Sequence, residues 1–172
     1  MTVTDVNVVK SAIFERPDDA NKGTLGSLLC VCGSYGMAGA AVMSAKGALR
    51  TGIGLAKCAL PRSIYPIVAQ TILESVYYPL SENADGRISK VNVPFLVSES
   101  CKSSATLVGC GLGVCDDTLK IVFSLIENST TPLVLDADAL NCVAKQPEIL
   151  LRKKAPIIIT PHPGEMSRLT GL

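Results

Sequence analysis

Four strings in the chain combine small, acidic and imidazole-bearing residues at spacings that suit ligand binding: Cys32 to Gly39, Gly109 to Gly113, Asp136 to Asp138, and Thr160 to Glu165. The first sets glycines at 33, 36 and 39 around the start of the run Ala38, Gly39, Ala40 and Ala41. Small side chains at the beginning of a helix let a ligand approach main-chain N–H groups and the positive helix end, a favourable place for phosphate. The spacing matches neither GxGxxG nor GxxxxGK followed by Ser or Thr, so the Rossmann and P-loop patterns are both unmet. Tight helix packing through Gly39, Ala40, Ser44, Gly47 and Ala48 is an equally good use of the same residues, and the two uses are compatible.

The second string alternates Gly109, Gly111 and Gly113, which either brings backbone close to a ligand or makes a tight turn. Asp116 and Asp117 then suit the cap and dipole of a following helix. In the third string, Asp136 and Asp138 form a pair able to hold a hydroxyl, a ribose or a hydrated cation. Capping accounts for Asp138 and leaves Asp136 unexplained. The fourth carries the chain's single histidine, His162, between Pro161 and Pro163. The prolines restrict it to extended geometry, so a ligand-facing role competes with the structural role usual for a lone histidine. Glu165, three residues on, is spaced to close a capping box or to meet a ligand.

The elements that position these strings are short and alternate. Leu28 to Gly33, Gly54 to Leu60, Ala105 to Gly109, Leu133 to Asp136 and Pro156 to Thr160 read as strands, with a weaker region around ESVYYPL. Ala38 to Thr51, Cys115 to Glu127, and stretches opening at Asp138 and near Gly164 read as helices. Strands apolar on both faces and joined by helical crossovers predict a mainly parallel sheet covered on both sides, a three-layer α/β fold. Ligands bind such sheets outside the carboxyl ends of the strands, where all four strings fall.

A length of 172 residues suits one domain over 1–172. Charged residues make up 18% of the chain, against about 25% in a typical domain, and hydrophobic residues 48%, so disorder is excluded. A net charge of +1, aromatics at 4% and no Trp deny nucleic acid both an electrostatic footprint and serial stacking platforms. Seven cysteines without a CxxC pair make no zinc pattern, and no metal-ligating residue is assigned. Their odd number and apolar settings predict buried reduced thiols, and MTVTDVNVVK is no basic-then-apolar leader, so a cytoplasmic location is expected. Gly26 to Ala45 holds 20 residues without a charge, the length of a membrane span. Gly33, Ser34 and Gly36 divide it into a strand and a helix, so no membrane association is expected.

Six stretches in order resemble the ADP- or ATP-dependent NAD(P)H-hydrate dehydratases, members of the ribokinase-like fold. They are Lys22-Gly23-Thr24-Leu25-Gly26, Gly33-Ser34 with Met37-Ala38-Gly39-Ala40-Ala41, Ala48 to Leu55, Gly109 to Gly113, Leu135 to Asn141, and Thr160-Pro161-His162-Pro163-Gly164-Glu165. The resemblance spans Lys22 to Leu172 and implies a hydro-lyase of metabolite repair. It removes water from hydrated NADH or NADPH, written NAD(P)HX, with ADP or ATP as the driving nucleotide and Mg2+ accompanying it. By the same resemblance Ala40, Gly113 and His162 contact the hydrated dinucleotide, and Gly39, Gly111 and Asp136 line the same cleft. His162 then positions the damaged nicotinamide ring. The low charge content makes a homo-oligomer the expectation.

The chain departs from the family pattern in two places. Cys110 stands where the family usually has proline, so a looser turn is expected there. No Gly-Thr-Gly-Asp or Gly-Ser-Gly-Asp string occurs in these residues; in the family its aspartate is the expected base, and adjoining loops hold the nucleotide phosphates. The expectation is a dinucleotide-side cleft without the kinase-side apparatus, on a sheet incomplete at its C-terminal side, inactive by itself. A ribokinase-like small-molecule kinase and a catalytically inactive dinucleotide-binding fragment are the alternatives. The Thr-Pro-His-Pro-Gly-Glu string argues against the kinase.

Overall fold

Apolar runs with side chains to bury on both faces give six parallel strands, seen in a computed structural model that describes Ala20 and residues 23–172. Lys22 and the MTVTDVNVVK start lie outside the described residues. The elements run β1 (Ser27–Val31), α1 (Ala38–Arg50), β2 (Leu55–Pro61), α2 (Tyr65–Thr71), β3 (Val76–Leu80) and α3 (Val93–Cys101). They continue with β4 (Ala105–Val108), α4 (Asp116–Asn128), β5 (Leu133–Leu135), α5 (Asp138–Val143), β6 (Ile157–Ile159) and α6 (Pro163–Thr170). Strand order is β3-β2-β1-β4-β5-β6. Every pairing is parallel, with Cys30 beside Cys58 on one side and Leu107 on the other.

The chain steps from β1 outward to β2 and β3, and α3 then carries it back to β4 on the other flank of β1. Right-handed crossovers put helices of the two halves on opposite faces. α1 and α2 seat Ala41, Ala45, Ile64, Val68 and Ile72 against Cys30, Cys58 and Leu60. On the other face Leu96 of α3, Ile121 and Leu125 of α4 and Leu140 of α5 bury against Leu29, Val31, Val108 and Leu135. The sheet's topology therefore reverses between β1 and β4, and their carboxyl ends form the switch point at which such folds bind ligands.

Periodicity gives only a weak signal around β3 and leaves α2 and α3 unassigned, for identifiable reasons. β3 is an edge strand whose Pro79 pairs only toward β2, a place where a missing N–H costs nothing. α2 and α3 are seven and nine residues long, each with a proline at its start, too short to show a helical period. The sheet also ends earlier than the apolar run suggests. β1 stops at Val31, and Gly33 turns away with a φ of +84°.

The switch point is closed by main-chain contacts at Gly109. Its N–H donates to the Val31 carbonyl at 3.2 Å and its carbonyl accepts from Asp138 N–H at 3.3 Å, while Asp136 N–H donates to Val108 at 3.1 Å. Gly109 adopts a φ of +127°, and a Cβ there would overlap the Asp136 carbonyl oxygen and lie 2.7 Å from Ala139 Cβ. No other residue fits this position.

All seven cysteines are free thiols. Those of Cys30, Cys32, Cys58 and Cys142 are buried, as the sequence predicts, whereas Cys101, Cys110 and Cys115 are half-buried. Burial pushes the Cys142 thiol up to about 11. Burial raises Cys115 as well, but hydrogen bonds from the Thr118 main chain and hydroxyl outweigh it and hold that thiol below its ordinary value. No described helix is long and apolar enough to cross a membrane.

Two outcomes test this packing. Gly109→Ala lowers stability in urea unfolding by about 3 kcal/mol or more. Gly47→Ala, in mid-α1 with nothing within 4 Å of the new methyl, raises it by about 0.5–1 kcal/mol. Equal stabilities for the two variants contradict the close approach at Gly109. Because the thiolate is the reactive form, iodoacetamide at neutral pH alkylates Cys115 faster than Cys142, read by peptide mass spectrometry; the reverse order contradicts the local hydrogen bonding.

Candidate functional site

α1 opens at Ala38 with Met37 as its N-cap, no capping side chain and no acidic residue in its first turn. Its positive end therefore faces the switch point without an internal anion. The loops following β1 and β4 are fused there: Gly33 N–H donates to the Cys110 carbonyl at 2.9 Å, and the buried Ser34 hydroxyl donates to the Gly111 carbonyl at 2.8 Å. Gly111 adopts a φ of +66°, and a Cβ on it would lie 2.7 Å from Ala40 Cβ and 3.1 Å from Met37 Cβ. Ala40 and Gly111 are thus brought together. Gly39 sits beside them with nothing within 4 Å of where its side chain would go, so helix packing, which runs through Ala41 and Ala45, does not require glycine at 39.

The turn expected to be loose at Cys110 is held at three points. Its carbonyl accepts from Gly33, its thiol donates to Asp136 Oδ2 at 3.2 Å, and it hydrogen-bonds Cys32. That last bond lowers the Cys110 thiol below its ordinary value against the effect of burial. The other Asp136 oxygen accepts from the Thr160 hydroxyl at 2.8 Å. Asp136 therefore ties the ends of β4, β5 and β6 together, which explains the carboxylate that capping left unexplained.

Asp138 is not the cap that the sequence suggests. The N-cap of α5 is Ala137, which makes no side-chain cap bond, and Asp138 is the first helical residue. Its Oδ2 accepts from Gly113 N–H at 2.8 Å and its Oδ1 from the Asn141 amide at 3.3 Å; Asn141 in turn accepts from Arg168 Nε at 2.8 Å. Ala137 adopts a φ of +48° and a ψ of −115° while Ala139 N–H closes on the Asp136 carbonyl at 3.0 Å. Glycine favours this turn position, and a non-glycine residue there costs about 1–3 kcal/mol. The turn sends one carboxylate toward β6 and the other toward Gly113.

Gly113 is also covered. A Cβ on it would overlap Arg87 Nε and come within 2.9 Å of Cδ, and Arg87 pairs with Asp85 at 3.2 Å. Arg87 belongs to a loop tied to both halves of the switch point, through Tyr35 N–H to the Gly86 carbonyl at 2.8 Å and the Asn83 amide to Asp117 Oδ2 at 3.1 Å. The only mark of this loop in the sequence is the Asn-Ala-Asp-Gly turn at 83–86. An open cavity of about 390 Å³ beside it is lined by Tyr35, Gly36, Ala38, Gly39, Ser63, Ile64 and Ile67.

His162 is the extended N-cap of α6. Its Nδ1 accepts from Gly164 N–H at 3.1 Å and Glu165 N–H at 3.4 Å, and Glu165 Oε2 accepts from His162 N–H at 2.9 Å. This is a capping box with imidazole in the place of a hydroxyl. An accepting Nδ1 assigns the neutral ring's proton to Nε2, which lies 3.2 Å from Glu165 Oε1. Glu165 is buried, and the His162 side chain is 63% exposed. With both nitrogens engaged, the imidazole offers a ligand its face. The candidates Gly39, Ala40, Gly111, Gly113, Asp136 and His162 therefore lie along one edge, at the ends of β1, β4, β5 and β6. Among the described residues, no three His, Cys, Asp or Glu side chains are grouped to hold a metal ion.

The family model for NAD(P)H-hydrate dehydratase matches residues 28–172. The chain is 38% identical to the bifunctional NAD(P)H-hydrate repair enzyme of Thermofilum pendens over 156 residues, which cover 91% of this chain and 30% of that protein. The crystal structure of the ADP/ATP-dependent NAD(P)H-hydrate dehydratase of Bacillus subtilis, co-crystallised with ATP and Mg2+, superposes with a TM-score of 0.73 at 28% identity, over 96% of this chain and 54% of that one. A ribokinase-like superfamily protein of Enterococcus faecalis, at 20% identity, shares the fold with a TM-score of 0.77 over 93% of this chain. The chain thus spans about a third of the bifunctional relative and about half of the dehydratase structure. A family match that begins within β1 and continues through α6, on a three-layer ribokinase-like fold, makes the chain a member of the NAD(P)H-hydrate dehydratase family.

Proposed function

We propose that this chain binds NAD(P)HX along the carboxyl ends of β1, β4, β5 and β6, as the substrate side of a nucleotide-driven dehydration. One observation carries the reading: at the switch point Ala40 touches Gly111 beside the uncapped start of α1, so small residues and a positive helix end converge. The diphosphate of a dinucleotide is the group that such a place suits. Gly39 and Ala40 admit it, Gly111 allows close backbone approach, and the face of His162 lies three strands along for the hydrated nicotinamide ring. Gly113 acts through its surroundings, since Asp138 occupies its N–H and Arg87 covers it.

ADP or ATP with Mg2+ is the co-substrate in this reading, and phosphoryl transfer makes the hydroxyl of the hydrate a good leaving group. Among the described residues no three His, Cys, Asp or Glu side chains are grouped to hold Mg2+, and no Gly-Thr-Gly-Asp or Gly-Ser-Gly-Asp string is present, so no step of phosphoryl transfer is assigned to them. Their work is to bind and orient the hydrate. A cytoplasmic location and a homo-oligomer belong to the same reading, supported by seven free thiols and by the exposed Ile158 and Ile159 on β6.

Calorimetric titration of the 172-residue chain with NADHX, using NADH as control, tests the reading; no binding of the hydrate overturns it. Gly39→Ala separates the two uses of the small-residue run. It shifts stability by no more than about 0.5 kcal/mol yet weakens NADHX about tenfold, whereas a packing role would reverse that pattern. His162→Ala loses the cap, about 1 kcal/mol, and weakens NADHX. His162→Asn keeps the cap and still weakens NADHX, because the ring is gone; full affinity in the Asn variant removes the ring from the contact surface.

A further inference from the structure

Tyr35 leaves the loop after β1 with 74% of its surface exposed, although its main chain is firmly held. Its N–H donates to the Gly86 carbonyl at 2.8 Å, and Gly86, at a φ of +70°, has no room for a side chain against Tyr35 Cβ and Cγ. Among the described residues the other exposed aromatics, Tyr65 and Phe95, are committed to edge-to-face pairs with Tyr77 and Tyr78. An exposed tyrosine alone is ordinary. Here, however, Tyr35 lines two open cavities, of about 390 and 340 Å³. The first is lined by the apolar side chains of Ile64 and Ile67, and the second by the carboxylates of Glu82 and Asp85, one oxygen of each bonded to Ser63 and Arg87 respectively and the other with no protein donor among the described residues. A planar heterocycle bearing an amino group suits that combination: a π-face for the tyrosine and donors for the acidic rim.

We propose that Tyr35 is the stacking platform for the adenine of the hydrated dinucleotide, an inference that rests on the binding function proposed above. Hydration removes the planarity of the nicotinamide ring, so adenine is the part of the ligand with a full π-face. Distance agrees. His162 follows β6 and the Tyr35 cavity lies between the ends of β1 and β2, three to four strand spacings away, roughly 14–19 Å. Two rings joined by a diphosphate reach along such a row, and a mononucleotide does not. The diphosphate then passes Gly39 and Ala40 between them. The aromatic-poor composition argues against reading a nucleic-acid strand and is compatible with a single platform.

The test compares NADHX with the hydrate of reduced nicotinamide mononucleotide, which lacks the adenosine. Wild-type chain prefers NADHX, and Tyr35→Ala cuts that preference about tenfold, the size of one base–aromatic stack, while Tyr35→Phe retains it. Because the chain has no tryptophan, Tyr35→Trp supplies a single fluorophore whose emission is quenched by NADHX and not by the mononucleotide hydrate. Wild-type chain that binds neither hydrate overturns the functional reading and this inference with it. Binding of NADHX with an unchanged preference in Tyr35→Ala overturns the stacking role alone. A loss confined to ADP binding also overturns it, by assigning the platform to the co-substrate's adenine.

Discussion

The absence of a side chain at Gly109 is the constraint on which the cleft depends. Three strands converge there through main-chain hydrogen bonds, from Gly109 to Val31, from Asp138 to Gly109 and from Asp136 to Val108. With a Cβ in the way, the Asp136 carbonyl would have to retreat and the turn through Ala137 and Asp138 with it. Everything placed by that turn follows: the Thr160 and Cys110 bonds of Asp136, and the hold of Asp138 on Gly113. A local steric fact thereby sets the relative positions of four strand ends.

The polar groups of the cleft are largely spent on one another. Both oxygens of Asp136 and both of Asp138 have internal donors, and both nitrogens of His162 face the α6 cap. What the edge presents to a ligand is therefore backbone, small side chains and ring faces. Such a surface selects by shape and by π-contact, with the helix end of α1 favouring negative charge. Carboxylates in this arrangement position the loops, and a catalytic base is not among their evident tasks.

Much of this was legible in the sequence because parallel strands buried on both faces read as plain apolar runs. The strand ends then pointed to the glycine, aspartate and histidine strings without further help. The capping box was visible as the three-residue spacing from His162 to Glu165. Other features were invisible, since they depend on approach between distant segments. Asp138 looks like a cap until Gly113, 25 residues away, is seen to donate to it. Arg87 has no motif of its own, and only the folded loop lays it across Gly113. β3 hid because an edge strand tolerates Pro79 and buries only Leu80 fully, diluting the apolar signal.

Pairing of β1 with β4 joins Ser34 to Gly111, 77 residues apart, a wider separation than in any other strand pair of the sheet. Closing so long a loop carries an entropic cost, and non-local pairing of this kind is slow. The switch-point part of the cleft is divided between residues 33–40 and 109–113, so neither stretch forms it alone. A ligand spanning both halves binds only the docked state and adds its own binding free energy to the seam, by RT ln(1 + [L]/Kd). The substrate is in this sense a fastener of the sheet, and exchange of the deepest amide protons at the β1–β4 seam reports its occupancy.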